Sequence, residues 1–423
     1  MATLTETTPD ERRRFRHICA AGITFQGGTA AVDSSTIMAA LAYQLTGSPI
    51  AVGAVTTILR VGWLAPQLFV GYFAERSGAS LPYFIVGGFG RATCLALLAV
   101  LLAFAPTLPA LLVTAGFFLT WTAYSFVSGI VAVPYNDIVG RSVASERRSR
   151  LLAIRFFGGG LLALLVAALA NSFVEDFTFP ASYAAIVGLA AVLMYVSSML
   201  FIWPGEPEAA ANGSTPVSFV SYLREGWVVF QTDVRFRRFV FSQWGGGLAM
   251  MALPFYVLTA SELHLPLADV ALLLGAQSVG ALLANPVWGW WGDRVGKRQL
   301  LEGVAILRLL PPLAALALIP WTPTTPVGLL VGFVTIFFVL GALSNGLTIA
   351  VLGWLMEISP DPRRRAYSGY FNALTAPAYL LPLLGGLLVV ALDATAVFVL
   401  AAVGAGVQWA FVRSTKYATN LTA

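Results

Sequence analysis

Charge is the property that this sequence has least of. Only 11% of its 423 residues are Asp, Glu, Lys or Arg, whereas soluble globular proteins have about 25%. The mean hydropathy is +0.80, and 58% of the residues are hydrophobic. Because a soluble chain of this length needs far more charge on its surface, the composition excludes a soluble protein and predicts an integral membrane protein.

Groups for catalysis and metal binding are also scarce. The two cysteines, Cys19 and Cys94, lie in apolar segments and are interpreted as packing residues without a redox role. The two histidines, His17 and His264, lie at opposite membrane faces in the topology below and cannot share a metal ion. No Ser-His-Asp set, metal-ligand spacing or nucleotide-binding glycine loop occurs. The sequence therefore predicts no enzyme, no cofactor, no metal site and no direct use of ATP.

Long apolar runs are what the sequence does contain. Many reach about 20 residues, the length that a helix needs to cross the hydrocarbon of a membrane. We predict an all-α membrane protein with twelve transmembrane helices. The predicted spans are 17–44, 49–73, 82–105, 108–137, 150–172, 181–203, 238–260, 267–291, 299–320, 325–356, 366–390 and 394–414.

The loops between these spans differ in charge. Loops after odd-numbered helices hold no Lys or Arg, whereas those after even-numbered helices hold nearly all of them. Because basic residues of short loops stay on the cytoplasmic side, we predict a multi-pass protein of the bacterial inner membrane with both termini cytoplasmic. The basic loops would face anionic lipid, and they are too dispersed for nucleic-acid binding. We expect no cleavable signal before the first helix.

The middle of the chain changes from apolar to polar. It begins with a linker rich in Pro, Gly and Glu, and residues 217–230 then have the spacing of an amphipathic surface helix. An unstructured hydrophilic linker is the alternative. The predicted regions are an N-terminal tail (1–16), a first six-helix bundle (17–203), a linker (204–237), a second bundle (238–414) and a C-terminal tail (415–423).

The two halves repeat one another at an offset of about 218 residues. Gly71-Tyr-Phe-Ala-Glu75-Arg76-Ser-Gly78 ends one apolar run, and Gly289-Trp-Trp-Gly-Asp293-Arg294-Val-Gly296-Lys297-Arg298 ends another. Arg91 aligns with Arg308, and Asp137 with Glu357. In so apolar a chain, this duplication predicts two pseudo-symmetric bundles facing each other across a central path.

With these motifs, the chain resembles the major facilitator superfamily of secondary transporters over its whole length. The family motif between helices two and three is G-x-x-x-D-R-x-G-R-R. The second copy differs from it only at Lys297, whereas the first has Glu75 in place of Asp and lacks the basic pair. The resemblance implies the major facilitator fold but leaves the subfamily and the substrate open.

The repeated charges lie at the cytoplasmic ends of helices. The resemblance implies that they form a gate that holds the bundles in an outward-open state. A role in membrane topology alone is the alternative. The candidate gate residues are Gly71, Glu75, Arg76, Gly78, Asp137, Arg148, Gly289, Asp293, Arg294, Gly296, Arg298, Glu357 and Arg364.

Charges inside the spans are unusual, since each costs about 2.5–3.5 kcal/mol at a helix centre. Asp33 and Arg60 lie at the same depth by helical rise, and we predict that they pair as a substrate or proton site. A purely structural pair is the alternative. Arg91 and Arg308 are symmetric, which favours bundle stabilisation. Arg155 is interpreted as reaching the membrane surface.

Uncharged polar residues complete the candidate path. Trp63, Gln67, Gln277, Asn285, Asn345 and Asn372 are assigned to the substrate or proton site, with bridging between helices as the alternative. Proline within spans, including Pro254 and Pro377, predicts kinks.

Two functions remain. One is a secondary active transporter, a symporter or antiporter, that moves a small amphiphilic organic solute by rocker-switch alternating access, with Asp33 as proton site or counter-ion. The other is a non-cycling, transporter-like subunit that binds or delivers a lipid, pigment or partner membrane protein. We expect a monomer in contact with membrane lipid.

Overall fold

The computed structural model describes residues 9–77, 79–143, 145–207, 219–265, 270–320, 326–359 and 364–418, and nearly all of them are helical. The first half contains α1 (Pro9–Ala31), α2 (Ile37–Thr46), α3 (Pro49–Ser77), α4 (Leu81–Ala103), α5 (Ala110–Ser142), α6 (Ser145–Asp176) and α7 (Ala181–Ile202). The linker helix is α8 (Phe219–Thr232). The second half contains α9 (Val234–Met251), α10 (Phe255–Glu262), α11 (Val270–Arg294), α12 (Lys297–Leu307), α13 (Leu310–Leu318), α14 (Pro326–Ile358), α15 (Arg364–Thr375), α16 (Leu381–Ala391) and α17 (Ala394–Ala418).

The all-α membrane fold is confirmed. In the described part of the chain, ten helices are long and apolar enough to cross a membrane. The other two predicted spans, 17–44 and 238–260, are each broken into two helices, α1 with α2 and α9 with α10. Proline interrupts the eleventh span as well, where a 3₁₀ turn, Ala376–Leu380, lies between α15 and α16.

The chain forms two compact units that do not coincide with its two halves. The first unit comprises Met1–Asp33 and Ile58–Gly213, and the second comprises Ser34–Thr57 and Ser214–Ala423. The chain therefore passes between the units at Asp33 and again within α3.

In the first unit, α1 packs against α6 and α7, and α4 packs against α5 and α7. Phe84, Phe117 and Trp121 are among its fully buried side chains. Gly62 of α3 crosses α5 so closely that a Cβ atom there would lie 2.6 Å from the Cβ atom of Ser125. Small residues permit this approach of helix backbones.

The second unit repeats this crossing. Gly280 of α11 contacts the carbonyl of Phe338 in α14, at the position equivalent to Gly62. Its other main contacts are between α9 and α17 and between α12 and α14. Phe236, Phe239 and Leu300 lie in its core.

The second unit also contains a segment from early in the chain. Thr57 Oγ1 accepts a hydrogen bond from the backbone N–H of Leu383 at 3.1 Å. Gly53 contacts the carbonyl of Pro382, and a Cβ atom on Gly386 would lie 2.7 Å from Ile50 Cα. Residues 34–57 are therefore packed directly against the start of α16.

Candidate functional site

The break in the first span lies at Asp33. Residues 32–36 leave the helix, and four of them, Asp33, Ser34, Ser35 and Thr36, have short polar side chains that compete for backbone hydrogen bonds. The Ser34 carbonyl accepts a 3.2 Å hydrogen bond from Thr56 Oγ1 instead of one from its own helix. Asp33 is half-buried. Broken helices of this kind leave backbone polar groups available for substrates and ions in transporters.

The seventh span is broken at the equivalent position. Residues Ala252 to Pro254 separate α9 from α10, and the N–H groups of Leu253 and Phe255 bond to carbonyls three residues back. Pro254 explains this break, because proline cannot donate to a helical carbonyl. Leu253 occupies the position of Asp33, so the break is duplicated and the carboxylate is not.

Arg60, Trp63 and Gln67 lie on the part of α3 that belongs to the first unit. The Nε atom of Arg60 is buried and has no hydrogen-bond partner. Trp63 is 45% exposed, and Gln67 Nε2 donates a 2.7 Å hydrogen bond to the Trp63 carbonyl. The pairing of Arg60 with Asp33 stays a prediction.

The second unit contributes four of the assigned amides. Gln277 and Asn285 lie on α11, Asn345 on α14 and Asn372 on α15. The first three are half-buried and Asn372 is exposed. An unbonded amide facing hydrocarbon is costly, so these partly exposed side chains favour a polar lining, and their substrate role stays a prediction.

Arg308 is held by its own bundle. It lies at the junction of α12 and α13, where Nη1 donates to Gln408 Oε1 at 2.7 Å and Nη2 donates to the Gly246 carbonyl at 3.0 Å. Gln408 is fully buried. These contacts support the stabilising role that symmetry indicates.

Its counterpart Arg91 has different surroundings. Arg91 is 4% exposed, its guanidinium lies 4.6 Å from the centre of the Phe25 ring, and its Nε atom has no partner. Arg155 lies 5.5 Å from the same ring and donates to the Tyr135 hydroxyl at 3.0 Å. The expectation that Arg155 reaches the membrane surface was wrong, because its side chain turns inward onto these two rings and its Nε atom is buried.

A cytoplasmic ion cluster joins α4, α5 and the residues after α7. Arg141 bridges Asp137 Oδ2 at 2.5 Å and Glu206 Oε1 at 2.6 Å. Ser80 Oγ donates to Asp137 at 2.6 Å, and the N–H groups of Ser80 and Leu81 donate to the Glu206 carboxylate at 2.8 and 3.0 Å. Glu206 thus caps the positive end of α4.

The cluster changes the acidity of Glu206. Burial alone would raise its pKa, but the hydrogen bonds from Arg141 and from the backbone of Ser80 and Leu81 outweigh burial and lower the pKa below its ordinary value of 4.5. Sequence reasoning missed both Arg141 and Glu206. Arg141 follows Asp137 by four residues, a helical spacing that would have indicated the pair, whereas nothing near Glu206 indicates its distant partners.

The second copy of the repeated motif is held by backbone geometry and a local ion pair. Gly296 has φ +113° and ψ +155°, a conformation that is essentially restricted to glycine, and it makes the turn from α11 to α12. Arg298 pairs with Glu302 at 3.1 Å, while Arg294 and Glu357 are exposed. Gly78 lies outside the described residues, as do the side chains at Gly71, Glu75, Arg76, Arg148, Asp293 and Arg364.

Comparison with known proteins agrees with this architecture. Residues 239–422 match the sequence model of the Major Facilitator Superfamily. The search of curated protein sequences gave no match. The family recognised from the repeated motifs is confirmed, and the match supports a membrane transporter rather than an enzyme.

Solved transporter structures share the fold. The nucleoside transporter NupG has a TM-score of 0.71 at 13% identity, with 96% of this chain and 99% of that chain covered. A POT family transporter in complex with 5-aminolevulinic acid has a TM-score of 0.72 at 12% identity, with 93% and 94% covered. A bacterial homologue of the iron transporter ferroportin, in an outward-facing state, has a TM-score of 0.64 at 14% identity, with 96% and 99% covered.

Proposed function

We propose that this chain, which has the fold of the major facilitator superfamily, is a secondary active transporter of the bacterial inner membrane with both termini cytoplasmic. Its substrate is a small amphiphilic organic solute. The transporter works by rocker-switch alternating access, with a proton bound and released at Asp33.

The observation that carries this proposal is the pair of broken spans. Both breaks lie at equivalent positions, and only the first has a carboxylate, Asp33. Asp33 is also the last residue of the first unit before the chain enters the second. A carboxylate between two half-helices can change its charge with the position of the surrounding backbone, which is what coupling of a proton to a conformational change requires.

Arg60 strengthens this reading. It is the third residue after the chain returns to the first unit, and its buried Nε atom lacks a partner. The two intramembrane charges of the first two spans thus stand beside the two places where the chain passes between units. A proton on Asp33 would remove one charge at this point, and the energy of a nearby arginine would change with it.

The cytoplasmic cluster supplies the proposed gate on the first unit. Asp137 and Arg141 at the end of α5 are tied to Glu206 at the start of the linker and to the first turn of α4. These charge-assisted bonds fix the cytoplasmic ends of three segments together. We propose that the candidate gate residues of both repeats act with this cluster to stabilise one conformation of the transporter.

Transport by purified protein in proteoliposomes tests the proposal. A panel of metabolites and drugs is first screened by melting temperature, because a ligand that binds the folded state raises it. Each stabilising compound is then offered to proteoliposomes with and without a proton gradient. Gradient-driven accumulation supports the proposal, whereas binding without movement, together with a partner that co-purifies in fixed ratio, overturns it in favour of a non-cycling subunit.

A further inference from the structure

We infer that the first bundle contains an anion-binding site made by Arg91 and Arg155, so that the proposed substrate carries a carboxylate or a phosphate group. This inference rests on the proposed function and names its substrate class. The site comprises two guanidinium groups, the Phe25 ring between them and the Tyr135 hydroxyl.

The two cations are close together without a counter-charge. Their guanidinium carbons lie 4.6 and 5.5 Å from the centre of the same Phe25 ring, which places them at most about 10 Å apart. Within the described residues, no carboxylate lies at ion-pair distance from either. Cation–π contact offsets part of the cost of burial but leaves both charges unneutralised. A bound anion would supply the missing charge.

The hydrogen-bonding groups at this site are also incomplete. The Nε atoms of Arg91 and Arg155 are buried without partners, although guanidinium N–H groups in apolar surroundings are normally bonded. Tyr135 accepts a hydrogen bond from Arg155, which leaves its own O–H free to donate. Arginine is the side chain best suited to bind carboxylates and phosphates through two donors at once.

The backbone is shaped to admit Arg155. A Cβ atom on Gly22 of α1 would lie 2.7 Å from Arg155 Cδ, so only glycine leaves room for the arginine stem there. Phe25 follows Gly22 by three residues, on the same face of α1. One helix therefore provides both the slot for Arg155 and the ring that both cations contact.

The second bundle lacks this arrangement. There, Arg308 is bonded to Gln408 and Gly246, and the stretch aligned with Arg155, residues 372–375, has no charge. The position aligned with Gly22 is Val240. A role in stabilising the bundle would apply to both repeats, whereas an unneutralised pair of cations in one repeat is what an asymmetric substrate requires.

Binding of simple anions to the purified full-length protein in neutral detergent tests the inference. The probes are inorganic phosphate, sodium acetate and sodium phenylacetate, each compared with sodium chloride at equal ionic strength, and phenylacetamide serves as the uncharged analogue. We expect at least one anion to raise the melting temperature by several degrees, and phenylacetamide to have no such effect. If none of the three anions has an effect beyond that of chloride, the inference is overturned.

Three arginine variants assign the effect to the site. Arg91→Gln and Arg155→Gln should each abolish the anion effect, whereas Arg308→Gln should retain it. Without ligand, Arg91→Gln should not lower the melting temperature, because it removes one of two repelling charges, while Arg308→Gln should lower it. Tyr135→Phe, which changes one hydroxyl, should weaken anion binding even if an arginine variant fails to fold. An anion effect that survives in Arg91→Gln, Arg155→Gln and Tyr135→Phe overturns the inference.

The same phosphate chemistry occurs in lipid headgroups, and a further arm separates the two sources. Short-chain phosphatidylglycerol is compared with phosphatidylcholine of the same chain length. Stabilisation by phosphatidylglycerol alone, with no response to the soluble anions, overturns the assignment to a transported solute. Because melting is measured without a gradient, a protein that binds anions but never transports them would contradict the proposed function and leave the anion site standing.

Discussion

The Nη1 atom of Arg308 lies 2.7 Å from the Oε1 atom of Gln408, so a buried cation of α12–α13 is fixed by a buried amide of α17. The second donor of Arg308 reaches the Gly246 carbonyl in α9. Three helices of the second unit are therefore connected through one side chain. Hydrogen bonds to charged groups inside proteins are worth about 1.5–3 kcal/mol each.

Gln408→Leu should therefore destabilise the protein. Arg308 loses its side-chain acceptor, at a cost of about 1–2 kcal/mol, with part of the loss offset because Gln408 Nε2 has no partner in the native protein. The melting temperature in detergent measures the effect. Gln67→Leu is the matched control, since its amide bonds only to its own helix, and it should change the stability by less than about 0.5 kcal/mol. Equal effects would refute a structural role for the Arg308–Gln408 pair.

The repeated motif allows a test with two glycines. Gly296→Ala should cost about 1–3 kcal/mol, because φ +113° is strained for any side chain. Gly289→Ala should be neutral or stabilising by up to about 1 kcal/mol, because Gly289 lies within α11 and a Cβ atom there meets nothing within 4 Å. Melting temperatures of the two variants should differ in this direction. A neutral Gly296→Ala would mean that the turn is not retained in the protein.

The lowered pKa of Glu206 predicts a pH-dependent contribution to stability. Since the folded pKa lies below the ordinary value of 4.5, the contribution is complete above pH 4.5 and is lost as the pH falls through the folded pKa. At pH 7, Glu206→Gln should cost about 1–3 kcal/mol through its charged hydrogen bonds.

Melting curves from pH 7 to pH 3.5 check this prediction. The difference between wild type and Glu206→Gln should shrink below pH 4.5. Glu357→Gln, at an exposed carboxylate, should stay within about 0.5 kcal/mol of wild type throughout. A difference that stays constant with pH would show that the carboxylate charge does not stabilise the cluster.

Asp33 and Arg60 are tested by single and double substitution. If they pair, Asp33→Asn or Arg60→Gln alone leaves an uncompensated charge and should cost about 3–5 kcal/mol, and the double variant should recover much of that loss. The stable double variant should exchange substrate passively but fail to accumulate it against a proton gradient. Full gradient-driven accumulation by the double variant would reduce both residues to scaffold.

The topology is tested by labelling single cysteines in a background without Cys19 and Cys94. Cysteines at the exposed positions Thr107 and Asp176 should react with an impermeant thiol reagent added to whole cells, because their loops hold no basic residues. Cysteines at the exposed positions Arg147 and Arg294 should react only after the cells are opened. The reverse pattern would invert the orientation.

Most of the fold could be predicted from the sequence because spans in a membrane have a minimum apolar length. The break at Pro254 was also indicated, since proline within a span predicts a kink. The break at Asp33 was not predicted. It depends on a run of short polar residues, and Thr56 stabilises it from another helix, a contact that no local pattern reports.

The charged sites show a similar division. Arg91 and Arg308 are indistinguishable in the repeat, yet only Arg308 finds an amide, because Gln408 has Ala190 at the aligned position of the first half. This difference could have been read from the sequence once the partner was known. The inward direction of Arg155 depends on the space left by Gly22, and therefore on the three-dimensional packing of α1 against α6.

The hydrogen bond between Thr57 and Leu383 spans 326 residues, and this separation affects how the protein is made. A ribosome synthesises Thr57 long before Leu383, so during translation residues 34–57 wait in the membrane without the start of α16. Nascent chains commonly fold domain by domain from the N-terminus, but the second unit needs pieces from both ends of the message. A chain that stops before residue 381 therefore leaves its first hairpin without a partner, as a substrate for membrane quality control.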